Sequence, residues 1–359
     1  MKALLLAGGS GTRLRPLTLN TPKPVVPIFD RPFLYHQIEL LKQLPEVDEI
    51  ILSLNYHPDR IEAVVGRGDD AGLPIRYVVE PRPLGTGGAV KFAAPHLDGT
   101  TIVFNGDVLA ETDLAALVEH HRTRRARATI VLAPVDDPAR YGLVETDGNG
   151  NVTRFLEKPD PADITCNTIN AGIYVLEPDT FDRIPAETKY SIERRYFPSL
   201  VERGDVFTAY VERGYWLDIG TPAAYRQAHR DILDGRCRSG CATLAGPGKA
   251  TVAGSATVAP TARLREPCFV GSGATVHPEA EIGPHAVLGS GSVVRAAATV
   301  RDSVVWPESI IGAGAMLDGA IVGHRCRIGD HARLGPDLVL GDDSTLTPHT
   351  RCGALRTTP

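Results

Sequence analysis

The chain has 359 residues, of which 43% are hydrophobic and 23% charged, and its formal net charge is −5 at pH 7. These proportions exclude a disordered or collagen-like chain, and the negative charge predicts neither a nucleic-acid nor a membrane partner. No apolar run approaches the ~20 residues of a membrane helix, and the apolar start of the chain is too short for a secretory signal. The length suits two domains.

The six cysteines are too sparse for a disulfide scaffold, so we expect reduced thiols and a cytoplasmic location. Cys237 and Cys241 have no second pair that would complete a zinc site, and we interpret them as ordinary linker cysteines.

Up to about residue 233, short apolar runs alternate with amphipathic stretches. The runs predict strands at 3–7, 49–54, 75–79, 101–105, 129–133, 142–145, 152–155, 169–176, 206–211 and 215–217. The amphipathic stretches predict helices at 33–44, 59–65, 86–94, 113–124, 192–203 and 222–233. This alternation indicates an α/β, Rossmann-like domain over 1–233, whose mostly parallel sheet has helices on both faces. Segment 129–175, with a hairpin turn at 147–150, predicts an inserted antiparallel lobe that forms a lid.

After a linker at 234–248, the period of the sequence changes to six. One apolar series is Val252, Val258, Leu264, Val270, Val276, Ile282, Leu288, Val294 and Val300. After a shift of four, which predicts a loop or an irregular coil at 302–306, it continues as Val304, Ile310, Met316, Val322, Ile328, Leu334, Leu340 and Leu346. Hexapeptide repeats are typical of a parallel β-helix with one inward side chain per face, here over 249–359.

A glycine-rich segment follows the first predicted strand and contains Gly8, Gly9 and Gly11, then Arg13, with Lys23 in a Pro-Lys-Pro triplet downstream. It is neither a Walker loop nor the dinucleotide fingerprint. Glycines nevertheless allow backbone N–H groups to approach an oxyanion, and the two cations suit phosphate oxygens. The segment therefore predicts a phosphate-binding loop.

This string resembles the sugar-1-phosphate nucleotidyltransferases. The resemblance continues through 105–107, 140–142, 155–159, 170–172 and 216–220, and members of the family with a left-handed β-helix share the hexapeptide tail. It implies transfer of a nucleoside monophosphate from a nucleoside triphosphate to a sugar 1-phosphate, with release of diphosphate. The greatest likeness is to members that make GDP-mannose from GTP and mannose 1-phosphate. Members that use glucose 1-phosphate with a thymidylyl, uridylyl or adenylyl group, or another sugar-like 1-phosphate with a guanylyl group, share most of the motifs.

Asp107 and Asp218 follow or end predicted strands, where ligands of open α/β sheets bind. The matching pair in the family binds the metal, so the resemblance implies a Mg²⁺ site, as hard oxygen ligands would suit. The alternatives are a helix N-cap or a turn aspartate for Asp107 and an Asx turn for Asp218. The residues that the resemblance assigns to catalysis are Arg13, Lys23, Asp107, Lys158 and Asp218.

Lys158 is implied to contact the phosphate of the sugar phosphate, and Glu157 the sugar hydroxyls. The full set implied for the sugar phosphate is Asn105, Gly106, Asp107, Tyr141, Gly142, Glu157, Lys158, Asn170 and Asp218. The set implied for the nucleotide is Leu6, Ala7, Gly8, Gly9, Gly11, Thr12, Arg13, Lys23, Glu80, Pro83, Gly85 and Thr86.

Glu80 stands where pyrimidine-using relatives often have Gln. A carboxylate has only acceptors, which suits the adjacent N1–H and 2-amino donors of guanine, so we predict GTP. The alternative is that Glu80 caps the helix near Thr86 or pairs with Arg82.

Two other functions compete with this one. A non-catalytic, sugar-nucleotide-sensing paralogue would be expected to lack Arg13, Lys23 or a metal aspartate, and all are present. An acyltransferase activity of the β-helix would use a histidine, and His277, His285, His324, His331 and His349 are available. We instead expect the β-helix to support a homo-oligomer, with 348–359 as an end plug. Trp306 and Met316 are contact candidates, although core packing is the favoured role for each.

Overall fold

The computed structural model describes residues 1–68, 70–237 and 247–353. Cys241, most of the predicted linker and residues 354–359 of the predicted plug lie outside the described residues. The chain forms two compact units, one of Met1–Gly9 with Gln37–Trp216 and the other of Ser10–His36 with Leu217–Pro359. The domain boundaries near 233 and 249 stay a prediction.

The elements before the β-helix agree closely with the predicted ones. The helices are α1 (Phe33–Leu41), α2 (Pro58–Val65), α3 (Gly85–Ala93), α4 (Leu114–Thr123), α5 (Phe197–Glu202) and α6 (Pro222–Leu233). The strands are β1 (Lys2–Leu6), β2 (Pro27–Ile28), β3 (Arg31–Pro32), β4 (Glu49–Leu54), β5 (Ile75–Val79), β6 (Thr101–Asn105), β7 (Val108–Ala110), β8 (Ala128–Pro134), β9 (Gly142–Thr146), β10 (Val152–Glu157), β11 (Thr168–Leu176), β12 (Phe207–Val211) and β13 (Trp216–Asp218). None of the described helices is long and apolar enough to cross a membrane.

The first unit is built on one nine-stranded mixed sheet. Its main path is β10-β9-β11-β6-β1-β4-β5, and β8 pairs with β11 and β12. Strands β6, β1, β4 and β5 are parallel, so that Leu6 pairs with Ser53 on one side and with Asn105 on the other. Leu4, Ile51 and Val103 are fully buried, as expected for strands covered on both faces. The parallel strands therefore end together at one edge.

The predicted antiparallel lobe is not separate from this sheet. Strand β11 pairs antiparallel with β6, β8 and β9, which joins segment 129–175 to the central strands. The predicted hairpin turn is confirmed, because the Asp147 carboxylate accepts the backbone N–H groups of Asn149 and Asn151 at 2.9 and 2.8 Å. Sequence periodicity identifies strands but not their partners, so it did not predict this pairing, and a covering role of the segment stays a prediction.

The second unit contains a parallel β-helix with three six-stranded sheets, in agreement with the predicted left-handed β-helix. The first sheet is Ala250–Val252, Cys268–Val270, Ala286–Leu288, Val304–Val305, Ile321–Val322 and Val339–Leu340. The second is Thr257–Val258, Thr275–Val276, Val293–Val294, Ile310–Ile311, Arg327–Ile328 and Thr345–Leu346. The third is Arg263–Leu264, Glu281–Ile282, Thr299–Arg301, Met316–Asp318, Arg333–Leu334 and Arg351–Cys352.

The predicted interior series is wrong in its middle part. Val305, Ile311 and Leu317 are buried in the β-helix interior, whereas Met316 is 39% exposed. Leu288 pairs with Val305 and Val305 with Val322, so these coils have 17 residues instead of the 18 between Val270 and Leu288. Two corners, one before Val305 and one before Val322, are each one residue shorter. The first of them is the irregularity predicted at 302–306, and no inserted loop forms there.

The outer face of the first sheet is buried, although it points away from the β-helix interior. Phe269, Val287, Val304 and Ile321 are at most 3% exposed. Helix α6 places Tyr225, Ala228, His229, Ile232 and Leu233 on its buried face, at the spacing of an amphipathic helix. Its Arg230 pairs with Asp302 of the β-helix. Trp306 is 1% exposed and packs in this layer, which confirms the core-packing role favoured for it.

Two histidines, His36 and His229, are buried in this unit. The Nδ1–H of His229 donates to the Tyr225 carbonyl at 3.0 Å, and its Nε2 accepts from the Phe29 N–H at 3.2 Å. Burial lowers the pKa of His229 from 6.5 to about 4 and the pKa of His36 to about 3. The folded protein therefore keeps both rings neutral at pH values where the unfolded chain protonates them.

We expect the free energy of unfolding to fall as the pH drops from 6.5 towards 4. Each pKa unit is about 1.4 kcal/mol, so His229 alone accounts for roughly 3 kcal/mol across this range. In urea unfolding at several pH values, His229→Gln should lower stability at pH 7.5 but flatten its slope between pH 6.5 and 4. An unchanged slope would show that His229 does not set this acid sensitivity.

Candidate active site

The candidate residues of the first unit begin at the edge where β1, β4 and β6 end. The backbone approaches closely here, because a Cβ on Gly106 would lie 2.5 Å from the Leu6 carbonyl oxygen. The Gly106 N–H donates to that carbonyl at 3.1 Å. At Gly8, a Cβ would lie 3.2 Å from the Asn55 nitrogen and 3.4 Å from Glu80 Oε1. Gly106 therefore permits the close approach of the backbone at the end of β1, and Gly8 leaves little space beside Asn55.

Glu80 is 6% exposed and has a clear structural role. Its Oε1 accepts from the Ser53 hydroxyl at 3.0 Å, and its Oε2 accepts the Leu84 N–H at 2.9 Å. Burial raises the pKa of Glu80, and these two hydrogen bonds act in the opposite direction. The helix-capping alternative is therefore present in the structure, and the pairing with Arg82 is replaced by an Arg82 bond to the Glu187 carbonyl. Contact with a nucleobase stays a prediction.

The start of α3 is held by the segment at Tyr190. The Tyr190 carbonyl accepts the N–H groups of Gly87 and Gly88 at 2.9 and 3.1 Å. Gly85 has a φ of +71°, and a Cβ there would lie 2.8 Å from the same carbonyl oxygen. The Thr86 hydroxyl donates to Glu193 at 2.8 Å. This glycine cluster is thus explained by packing, whatever it binds.

An amide cluster lies beside the end of β6. The side-chain amides of Asn105 and Asn170 both donate to the buried Tyr174 hydroxyl, at 3.3 and 2.9 Å. Asn170 Oδ1 accepts the Gly172 N–H, whereas Asn105 Oδ1 is buried without a hydrogen-bond partner. A buried unmatched acceptor is costly, so this oxygen is suited to a ligand hydroxyl. Sequence analysis selected both asparagines but missed Tyr174, whose buried position in β11 resembles that of any core aromatic residue.

Glu157 and Lys158 lie at the end of β10. A Cβ on Gly142 would lie 3.0 Å from Glu157 Oε2, so the carboxylate covers this glycine. Burial and then the charge of Glu193 raise the pKa of Glu157. Lys158 has a φ of +54°, unusual for a non-glycine residue, and its N–H donates to the Tyr141 carbonyl at 3.1 Å. The structure thus brings the predicted residues Tyr141, Gly142, Glu157 and Lys158 together.

Asp107 lies in the turn between β6 and β7. Gln37 brackets this turn, since its side-chain amide donates to the Asn105 and Val108 carbonyls at 2.8 and 3.0 Å. The charge of Asp107 contributes to the raised pKa of Tyr174, although burial is the main cause. Gln37 gave no signal in the sequence because it occupies a helix position without a motif.

In the second unit, the part of the glycine-rich segment that follows Gly9 forms a tight turn. Gly11 has a φ of +59°, and its carbonyl accepts from the Thr18 hydroxyl at 2.8 Å. A 3-10 turn at Thr12–Leu14 follows, with Leu14 fully buried. Leu14 anchors the turn while the side chain of its neighbour Arg13 is 63% exposed.

Two cations surround the Asp218 carboxylate. Arg13 Nη2 lies 3.5 Å from Asp218 Oδ2, and Lys23 Nζ lies 3.8 Å from Oδ1. The Lys23 side chain is only 9% exposed. A Cβ on Gly220 would lie 2.6 Å from Arg13 Nη2, so the guanidinium packs directly over this glycine. The structure therefore joins three predicted catalytic residues from distant parts of the sequence.

A preformed metal cage is absent from the described residues, which contain no group of three or more His, Cys, Asp or Glu able to hold an ion. Single carboxylates such as Asp107 and Asp218 fit Mg²⁺ instead, because this ion usually binds one or two carboxylates and keeps water and phosphate ligands.

The histidines of the acyltransferase alternative lie largely in corners of the β-helix. His285, His331 and His349 have positive φ values of 55°, 58° and 62°. His285 bonds to Asp234 at 2.7 Å, and His331 stacks on His349. These contacts account for three of the five histidines as structural residues.

Comparison with known proteins gives the class of the chain. Residues 2–235 match the nucleotidyl transferase family model, and residues 264–355 match the GMPPB C-terminal domain. The chain belongs to the nucleotidyl transferase family.

Particular relatives agree with this class. The chain is 44% identical to the mannose-1-phosphate guanylyltransferase of Mycobacterium tuberculosis over 65% of each chain. It is 39% identical to a probable mannose-1-phosphate guanylyltransferase of Oryza sativa, over 76% of this chain and 75% of that one. The solved structure of HddC from Yersinia pseudotuberculosis is 34% identical, with a TM-score of 0.56 over 63% of this chain and 97% of that one. A second HddC structure contains GMP-PN and has a TM-score of 0.55.

Proposed function

We propose that this protein transfers a guanylyl group from GTP to mannose 1-phosphate and releases GDP-mannose and diphosphate. An oxygen of the sugar phosphate forms a bond to the α-phosphorus, and the bond from that phosphorus to the bridging oxygen of diphosphate breaks. The observation that carries the proposal is the cluster of Arg13 and Lys23 around Asp218 in a glycine-rich turn. The names of the matched relatives support the choice of substrates.

The cation cluster suits a reaction between two anions. Negative charge grows on the leaving diphosphate, and fixed cations stabilise it most where water is limited. Lys23 is nearly buried, so its ammonium has little freedom, whereas the exposed Arg13 guanidinium can turn towards an incoming phosphate. We infer that phosphate oxygens replace Asp218 as the partner of these cations when substrate binds.

We propose Asp107 and Asp218 as the residues that would hold Mg²⁺. The bound ion would neutralise charge on phosphate oxygens. Motif positions and the carboxylate chemistry support this assignment.

On the sugar side, we propose that Glu157 and Asn105 Oδ1 accept hydrogen bonds from sugar hydroxyls and that Lys158 pairs with the phosphate. Gly142, Tyr141 and Asn170 complete this set. The unmatched Asn105 oxygen and the burial of Glu157 support these roles.

The experiment that tests the function is a diphosphate-release assay with a panel of triphosphates and hexose 1-phosphates, run with Mg²⁺ and with chelator. We expect the highest kcat/KM for GTP with mannose 1-phosphate and loss of activity with chelator. Preference for UTP or dTTP would overturn the base assignment, preference for another sugar would overturn mannose, and no turnover would favour a sensing paralogue. Acetyl-CoA binding would revive the acyltransferase alternative.

Glu80→Gln tests the choice of base. The Glu80 oxygens accept from Ser53 and Leu84, but each has a further lone pair for a guanine donor. We expect the preference for GTP over UTP to fall about 10- to 100-fold, because an amide donor would face the guanine donors. The matched variant Glu177→Gln should keep the preference, because Glu177 bonds to Thr100 and His121, which are not predicted site residues. Equal ratios for Glu80→Gln and the unmodified protein would contradict base pairing by Glu80.

We further propose a cytoplasmic homo-oligomer. Cys166, Cys237, Cys268, Cys326 and Cys352 are free thiols, which supports a reducing compartment. Light scattering will test the oligomer.

A further inference from the structure

The corners of the β-helix need acceptors for their backbone N–H groups. At two corners the next coil supplies an aspartate: Asp330 accepts the Ala313 N–H at 2.8 Å, and Asp342 accepts the His324 N–H at 2.9 Å. Glycines precede both N–H groups, and a Cβ on Gly312 or Gly323 would lie 2.6 or 2.8 Å from the respective carboxylate oxygen. Each of these corners thus has a binding position for an aspartate carboxylate, formed by a glycine and the N–H group that follows it.

Two other corners have the same glycine and N–H arrangement, but no aspartate of the β-helix binds there. Gly271-Ser272 and Gly289-Ser290 are stacked, and the coil after Ser290 continues with Pro307 and Glu308. Asp30, which lies far away in the sequence, binds at both corners. Its Oδ2 accepts the Ser272 N–H at 3.0 Å, and its Oδ1 accepts the Ser290 N–H at 2.7 Å. Asp30 therefore replaces a residue of the β-helix itself.

The segment of residues 10–36, which we call loop 10–36, also contacts the rest of the second unit at other positions. The Thr21 hydroxyl donates to Asp342 at 3.0 Å, and Pro16 lies against Gly341, where a Cβ would be 3.2 Å from the proline. The Pro27 carbonyl accepts from the Tyr225 hydroxyl, to which Trp306 Nε1 donates at 2.8 Å. Loop 10–36 is thus fixed to the coils of Gly271, Trp306 and Gly341.

Arg13 and Lys23 lie inside this loop. Lys23 begins the 3-10 turn Lys23–Val25, and strands β2 and β3, with Asp30 between them, follow directly. Its side chain is nearly buried, so its ammonium moves with its backbone. A displacement of about 1 Å in a catalytic group can cost ~10²-fold in rate.

We propose that the β-helix positions loop 10–36 for catalysis and that Asp30 is the positioning residue that joins them. The catalytic part of this inference rests on the proposed function. Asp30 itself does not touch the reacting groups; it holds the backbone that carries Lys23.

The test compares Asp30→Ala, which loses both acceptors, with Asp30→Asn, which keeps one. The control is Asp337→Ala, which removes the partner of Arg226 and so loosens α6 on the β-helix at another edge. Backbone hydrogen exchange of residues 10–36 and steady-state kinetics are measured on the full chain, at a temperature where all variants are folded.

We expect Asp30→Ala to speed exchange in residues 10–36 and to lower kcat about tenfold or more, with Asp30→Asn between it and the unmodified protein. Asp337→Ala should keep exchange in this segment and kcat within about twofold. Unchanged exchange in Asp30→Ala, or an equal loss of kcat in Asp337→Ala, would overturn the inference. An inactive unmodified protein would overturn the proposed function instead, and the exchange data would still decide whether Asp30 fixes the loop.

Discussion

Asp218→Asn is expected to lower kcat/KM by about 10²–10³-fold, the range found when one preorganised charged or hydrogen-bonding group is lost from a transition state. Asparagine keeps the size of the side chain but removes the charge that lies within 4 Å of both Arg13 and Lys23. The two cations then repel each other, and one proposed metal ligand is weakened. The measurement is the diphosphate-release assay at saturating Mg²⁺.

A matched control is Asp343→Asn, since Asp343 is also an aspartate paired with a cation, Arg325, at 2.8 Å. That pair is exposed on the β-helix, and exposed pairs contribute little, about 0–1 kcal/mol. Its activity should stay within about twofold. Near-normal activity in Asp218→Asn would remove the central element of the proposed mechanism.

Leu317→Ala is expected to destabilise the protein by about 2–5 kcal/mol, because it opens a cavity in the β-helix interior. Leu317 is 1% exposed and packs among the interior residues. Its neighbour Met316 is 39% exposed, so Met316→Ala should change stability by only about 0.5 kcal/mol. Urea unfolding of both variants gives the comparison.

This pair of variants tests the register directly. An uninterrupted period of six after the shift would place Met316 inside, whereas the pairing of Val300 with Leu317 places Leu317 inside. A larger loss in Met316→Ala than in Leu317→Ala would contradict the observed register.

Local patterns predicted the fold well because they act over a few residues. Strands β4, β5 and β6 and helix α6 have the predicted bounds, and six-residue spacing identified the β-helix. The same spacing failed after Val300, because Val304 and Val305 are both apolar and both buried, one towards α6 and the other inside. The choice between them depends on a corner one residue shorter, which periodicity does not report.

The site residues that belong to sequence motifs were predicted, and those outside motifs were missed. Arg13, Lys23 and Asp218 were selected together, and the structure joins them. Gln37, Tyr174 and Asp30 were missed, because each acts through backbone groups or neighbours that only the folded chain brings near. Asp30 is 242 positions away from Ser272, and no local pattern connects them.

The buried outer face of the first sheet limits how this protein can be shortened. A chain that stops before the β-helix would leave Phe29 without its partner Phe269 and Tyr225 without its partner Trp306. Such a fragment should associate with itself or precipitate unless polar residues replace this apolar layer. Loss of the β-helix during evolution would expose the same apolar layer, so we expect it to require compensating changes in α6.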